Sequence, residues 1–282
     1  MKVKEKVMEF VFLFTAIISI VAVALICIFL FANGIPAMKE IGFTEFLSGT
    51  KWKPGNDKYG IFPMILGSIY VTGGALVIGV PVGILMSIFM ARFCPVKLYK
   101  VLKPVVDLLA GIPSIVYGFF GLVVLVPFIR ENFKGNGQSI LCASILLGIM
   151  ILPTIIGASE PTIRAVDQSF YEGALALGAT HERSVFTVIV PAAKSGIFAA
   201  VVLGVGRALG ETMAVMMVVG NQPRVPDSIF KGVRTLTTNI VLEMGYATDL
   251  HREALIATGV VLFVFILIIN LCFSLIKRKG KE

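Results

Sequence analysis

The sequence predicts an all-α integral membrane protein, a bundle of six transmembrane helices. Three observations predict it. Of 282 residues, 57% are hydrophobic and only 15% are charged, against roughly 45–50% and about 25% in soluble domains. The apolar residues come in long uninterrupted runs, which is how bilayer spans read in a sequence. Basic residues mostly flank those runs. The net charge of +8 is therefore a topology signal rather than a nucleic-acid-binding surface.

A helix of about 20 apolar residues crosses the hydrocarbon core. Six segments qualify: Phe10–Phe31, Met64–Met90, Val105–Phe128, Ile140–Ala158, Ile197–Gly220 and Ala254–Ile276. The whole chain, 1–282, is read as one transmembrane domain. The first segment follows Lys2, Lys4 and Lys6. It is longer than a signal-peptide core and lacks a small-residue cleavage site, so it is expected to be a retained helix. The second span contains TGGALVIGVPVG, and the third contains LAGIPSIVYGFFGL. Small residues let helices approach closely in lipid, and prolines are tolerated where neighbours satisfy the freed carbonyls. These helices are expected to pack together rather than to act as independent anchors.

Orientation follows from the basic residues. One set of helix ends carries fourteen of them, at the N-terminus, around Arg92–Lys103, around Arg164–Lys194 and at Lys277–Lys281. The opposite set carries ten. The richer set belongs to the cytoplasm, which places both termini there. Ile35–Pro63 and Gln222–Glu253 then lie outside, and Glu160–Ser195 lies inside. Trp52, the only tryptophan, is expected at the membrane interface, as is His251. Asp107 and Glu160 are expected near helix ends within reach of water, and His181 in a solvated loop. Cys27, Cys94, Cys142 and Cys272 have neither metal-ligand nor disulfide spacing and read as packing residues.

Within the inner loop, DQSFYEGALALGATHERSVFTVIVPAA predicts a short helix. Ser169 and Glu172 have capping-box spacing, and Gly178 suits the left-handed residue that ends a helix. Two turns are not stable alone in water, so this helix must dock, either on its own chain or on a partner.

GRALGETMAV, residues 206–215, puts two charges inside the fifth apolar run. Arg207 and Glu211 are four residues apart, which is one face of a helix one turn apart. Such charges each cost about 2.5–3.5 kcal/mol at the centre of a span, so they are expected to face the bundle interior or an aqueous cavity. A structural ion pair between helices is one reading. The other is an anion path, in which the planar guanidinium matches phosphate oxygens and Glu211 holds it in place. Thr212 and Thr72 offer hydroxyls, with helix packing as the plainer role.

The inner loop resembles the E-A-A-x3-G-x9-I-x-L-P loop of ABC-importer permeases. Glu172, Ala174, Gly178 and Pro191 stand at motif positions, Gly173 replaces the first alanine, and Val188 and Val190 stand for isoleucine and leucine. LAGIPSIVYGFFGL, LGIMILPTIIGAS, GRALGETMAV, HREAL and the early WKPGNDKYG together resemble phosphate-importer permeases of the PstC type. The resemblance runs from about Trp52 to the last helix. It implies a type I ABC importer permease bundle in a bacterial cytoplasmic membrane. Residues Glu172, Gly173, Ala174, Gly178 and Pro191 would form the coupling helix and its flank. Arg207, Glu211 and Thr212 would line the phosphate path. The implied partners are a homologous permease, two ATPase subunits carrying ATP and Mg²⁺, an extracytoplasmic phosphate-binding protein and membrane lipid, with no nucleic acid.

No G-x-x-x-x-G-K-[ST] phosphate cradle, nucleophile–base set or metal spacing occurs in the sequence. The chain is expected to be a pathway rather than an enzyme, without a cofactor of its own. Two other classes compete. A secondary anion transporter would use Arg207–Glu211 as an ion or proton relay, but the chain shows no inverted repeat. A non-transporting scaffold has no use for charges inside a span.

Overall fold

The computed structural model describes residues 2–133 and 135–279. Lys134 and Lys281, which contribute to the charge asymmetry, lie outside the described residues. The first helix, α1 (Lys2–Ile41), is longer than its apolar run and carries Pro36 near its end. A short α2 (Phe43–Ser48) leads into a hairpin of β1 (Trp52–Lys53) and β2 (Lys58–Tyr59). This hairpin is antiparallel, with Trp52 opposite Tyr59 and Lys53 opposite Lys58.

Next comes α3 (Phe62–Ile88), which continues into a π turn at Phe89–Phe93. Then follow α4 (Val96–Gly111), α5 (Ser114–Phe120), a π turn at Gly121–Leu125 and α6 (Val126–Asn132). α7 (Ile140–Arg164) leads into the short α8 (Gln168–Ala176). α9 (His181–Ser184), a π turn at Val185–Ile189 and α10 (Val190–Ala192) bend into α11 (Lys194–Gly210). The chain ends through α12 (Met213–Val218), α13 (Leu236–Glu243) and α14 (Asp249–Lys279).

Among the described residues, five helical stretches are long and apolar enough to cross a membrane. A sixth arises if His181–Ala192 and Lys194–Gly210, bent by 69°, count as one span. Two expected spans are corrected. The third does not run from Val105: the helix breaks at Ile112–Pro113, and the crossing stretch is Ser114–Asn132. Pro113 has no amide hydrogen and holds Ile112 extended. The fifth does not run from Ile197 to Gly220, because α11 stops at Gly210 and α12 starts anew at Met213. Gln222–Glu253, read as a polar loop, contains α13, which is started by a reciprocal cap between Thr235 and Thr238. Cys142 is buried as expected of a packing residue, whereas Cys272 is exposed on α14.

The centre of the bundle is the pair α3 and α7, which run side by side in the same direction. Gly79 faces Ile151 and Gly83 faces Ile155, so closely that a Cβ at either would sit 2.7 Å or 2.9 Å from the isoleucine side chain. The Ser144 hydroxyl donates to the Val71 carbonyl across the same seam at 3.2 Å. Ile151 and Ile155 are fully buried there. By contrast, α1 lays most of its surface open and packs along α14.

The seam gives a test. Gly79→Ala puts a methyl against both Ile151 and the Gly148 carbonyl oxygen, and overpacking of this kind costs about 1–3 kcal/mol. Gly73 is exposed and its added methyl meets nothing within 4 Å, so Gly73→Ala should gain helix propensity instead, up to about 1 kcal/mol. Thermal unfolding of the detergent-solubilised protein should rank Gly79→Ala below the parent and Gly73→Ala level with it or above. Equal midpoints for the two variants would contradict the packing.

Candidate functional site

Arg207 lies in the last turn of α11, about 20 Å along the axis from Lys194 at 1.5 Å per residue. α11 packs on α7 at Gly204, where an added Cβ would sit 3.0 Å from the Ile155 side chain. After Gly210 the chain leaves the helix. Glu211 is extended (φ −70°, ψ 126°), and Thr212 (φ −121°, ψ −55°) caps α12. The expected geometry of one helix face therefore does not hold for Arg207 and Glu211. Among the described residues no ion pair joins them. The Glu211 carboxylate instead accepts the Ala214 amide at 3.2 Å, inside the first turn of α12. Thr237 donates to the Glu211 carbonyl at 3.3 Å, and the Thr212 hydroxyl donates to the Gly210 carbonyl at 3.2 Å.

A second break lies beside the first. Ile112–Pro113 separates α4 from α5, and the Tyr117 hydroxyl donates back to the Leu109 carbonyl at 2.9 Å. Gly118 of α5 lies against Ala214 and Met217 of α12. Arg207 is exposed, and Glu211 and Thr212 are partly so. In a bilayer, irregular backbone is tolerated only against other protein or against water. The unwound stretch and its arginine therefore face a protein surface or an aqueous cavity rather than lipid. A neighbouring groove of about 280 Å³ is lined by Ile112, Val116, Tyr117, Phe120, Leu146 and Ile149. Its wall is almost wholly apolar, so it does not offer an anion the donors it needs.

The short helix α8 exists where the loop sequence places it, but its cap is different. Asp167, not Ser169, is the N-cap, and its carboxylate accepts the Ser169 amide at 2.8 Å. That bond lowers the Asp167 pKa. Gly178 is left-handed (φ 82°). The bonds from Gly178 to the Leu175 carbonyl and from Ala179 to the Ala174 carbonyl close the helix as a Schellman motif. Glu172, Gly173 and Gly178 are exposed, Ala174 is partly buried and Pro191 is exposed at the end of α10. No residue of α8 is buried, so its face is open. His181 is not solvated: it is half-buried, 2.8 Å from the Tyr171 hydroxyl and edge-on to Phe93.

At the hairpin end lies a group that the loop reading missed. Glu243, 7% exposed, receives the Trp52 indole N–H at 2.8 Å and the Arg234 guanidinium. His251 Nε2 is 2.8 Å away. Arg234 also donates to the Asn221 carbonyl and the Asn239 side chain. One carboxylate thus ties the hairpin, the 221–235 loop, α13 and α14. Burial raises the Glu243 pKa, and the three donors outweigh that and hold it below the ordinary range. Trp52 is buried, so it is a donor in a polar knot rather than an interface anchor, and His251 joins it. The signal in the sequence was the odd tryptophan, but its partner Glu243 lay in a stretch with no apolar periodicity.

Residues 79–280 match the family described as binding-protein-dependent transport system inner membrane component. The chain is 45% identical over 266 residues to a probable ABC transporter permease protein, YqgH, of Bacillus subtilis, covering 90% of this chain and 86% of that one. It is 35% identical over 275 residues to the phosphate transport system permease protein PstC of Mesorhizobium japonicum, covering 90% and 84%. A solved bacterial ABC transporter involved in the import of the acidic polysaccharide alginate shares the fold, with TM-score 0.64, 16% identity and 96% of each chain covered.

The Glu243 knot generates its own prediction. Glu243→Gln removes the one carboxylate paired with Arg234 among the described residues, and breaking a buried pair costs about 3–5 kcal/mol. Trp52→Phe loses one hydrogen bond to a charged acceptor, about 1.5–3 kcal/mol. Because the Glu243 pKa is lowered from 4.5, its contribution is present above that value and lost as pH falls through the lowered one. Thermal unfolding of both variants at neutral pH checks this. Unchanged midpoints would remove the knot from the account.

Proposed function

We propose, from the premise that this chain belongs to the family of binding-protein-dependent transport system inner membrane components, that it is the phosphate-conducting permease of an ATP-driven importer. Family membership makes the chain a multi-pass membrane component of an ABC importer with the type I permease architecture. The family also replaces the secondary-transporter alternative, because energy comes from outside the permease. Phosphate is the finer reading. It is supported by relatives named phosphate transport permeases.

The observation that carries the proposal is the broken span at Gly210–Thr212 with exposed Arg207 beside it. A homologous permease would pack on this side, and the two would enclose an anion path. Arg207 offers the planar donors, and Thr212 offers a hydroxyl. Glu211 keeps the break in shape through the Ala214 amide, and its charge offsets that of the guanidinium when no anion is present. Two ATPase subunits would bind ATP and Mg²⁺ below α8, in contact with Glu172, Gly173 and Ala174, with Gly178 ending the helix and Pro191 shaping the return. A phosphate-binding protein would dock at the hairpin end. Both termini would then be cytoplasmic, the side that the richer set of basic residues favours.

Reconstitution of the chain with these partners in proteoliposomes tests the proposal. Phosphate uptake should require ATP and the binding protein together. Arg207→Gln should reduce uptake by about two orders of magnitude, the scale expected when a positioned charge–phosphate contact is lost, while the complex still assembles. Glu172→Lys should detach or uncouple the ATPase. Normal uptake in assembled Arg207→Gln complexes would make Arg207 structural, and unaltered ATPase association and transport in Glu172→Lys would remove α8 from coupling.

A further inference from the structure

We infer that Arg92 and Arg164 form a reciprocal clasp that makes the α8 ends of α3, α4 and α7 one rigid body with α8. They are then positioning residues for energy coupling. This rests on the reading of α8 as the coupling helix.

The clasp arises from carbonyls that their own helices leave unpaired. The π turn after α3 closes when the Cys94 amide bonds the Phe89 carbonyl at 2.8 Å. The next amide would belong to Pro95, which has none, so the Met90 carbonyl has no donor in its own turn. Arg164 of α7 supplies one through Nη2 at 3.0 Å. At the end of α7, Ile163 lies within the last four residues, whose carbonyls have no intrahelical partner. Arg92 Nη2 donates to the Ile163 carbonyl at 2.9 Å and to the Val166 carbonyl at 3.3 Å. Each element thus caps the other, and the positive charge of Arg92 also lies at the negative end of the α7 dipole.

Glu160 extends the clasp to α4. It is 2% exposed and accepts Arg164 Nε at 2.7 Å and the Tyr99 hydroxyl at 3.2 Å, with Lys103 Nζ at 4.0 Å. The Arg164 guanidinium lies 4.4 Å from the Tyr99 ring centre. Glu160 is therefore a buried hub rather than a helix end within reach of water. Val166 directly precedes Asp167, the N-cap of α8. A push on α8 thus reaches Arg92 one residue before the helix's N-cap, and through it α3, α4 and α7 together. A passive packing pin would stabilise the fold without altering how much transport each ATP yields, and the two roles separate on that ratio.

The assembled transporter in proteoliposomes provides the test. Arg92→Gln and Arg164→Gln should retain ATPase association and hydrolysis, while phosphate moved per ATP falls about tenfold, within the range of ordinary coupling energies. Arg92→Lys should lie between. A parental ratio in either glutamine variant would overturn the clasp. Should those variants fail to assemble, the parent complex decides. Spin labels at Lys100 and Ser169, with native cysteines replaced, should keep their separation within about 2 Å between nucleotide-free and ATP-bound states, whereas a change beyond about 5 Å, one helical turn, would overturn it. This distance needs only nucleotide, so absence of phosphate uptake would refute the phosphate reading and still leave the clasp to be judged.

Discussion

A backbone carbonyl or amide released from its helix inside a bilayer has no water to bond, and each one left alone costs several kcal/mol. Much of the polar chemistry of this chain answers that constraint. The break after Gly210 is held by Glu211 on the Ala214 amide and by Thr237 on the Glu211 carbonyl. The break at Pro113 is held by Tyr117 on the Leu109 carbonyl. The ends of α3 and α7 are held by each other's arginines. Where a span is interrupted, a named side chain stands in for the missing turn.

These substitutions decide where the molecule is stiff and where it bends. The α3–α7 seam relies on Gly79 and Gly83 accepting Ile151 and Ile155, and a separate polar cluster lies toward each end of the bundle. Toward the hairpin, Glu243 gathers Trp52, Arg234 and His251. Toward α8, the two arginines and Glu160 do the same. Between these fixed ends, α5 and α12 are short half-helices packed on one another beside Arg207. A permease must hold its ends while opening a path between them, and short elements with unwound joints at mid-depth are suited to that.

Hydropathy made most of the spans legible, because apolar runs of this length have few other uses. Ile140 and the α3 boundaries fall within two or three residues of expectation. The breaks were not legible from hydropathy, which averages over the two or three residues that leave the helix. Pro113 was visible as a residue type, but prolines also stand inside α3 and α7 without breaking them. At the site, Arg207 and Glu211 stood out as charges, while their relation did not: helical spacing is only meaningful if the helix continues, and it stops between them. Glu172–Gly178 was legible from glycine and length, although the cap moved to Asp167. Arg92, Glu160, Arg164 and Glu243 were hidden because each also has a partner far away in sequence, 71 residues for Arg92 and Ile163, 61 for Glu160 and Tyr99, 74 for Arg164 and Met90 and 191 for Glu243 and Trp52.

In the proposed transport cycle, the unwound stretch beside Arg207 lines a water-filled path that opens to one side at a time. The direct measurement is thiol reactivity of Thr212→Cys in the assembled transporter, with Cys27, Cys94, Cys142 and Cys272 replaced and membrane-impermeant reagents applied from either face. Reactivity should be present from one face without nucleotide and pass to the opposite face when ATP is bound. A thiol that reacts from neither face in either state, or from the same face in both, would contradict the path.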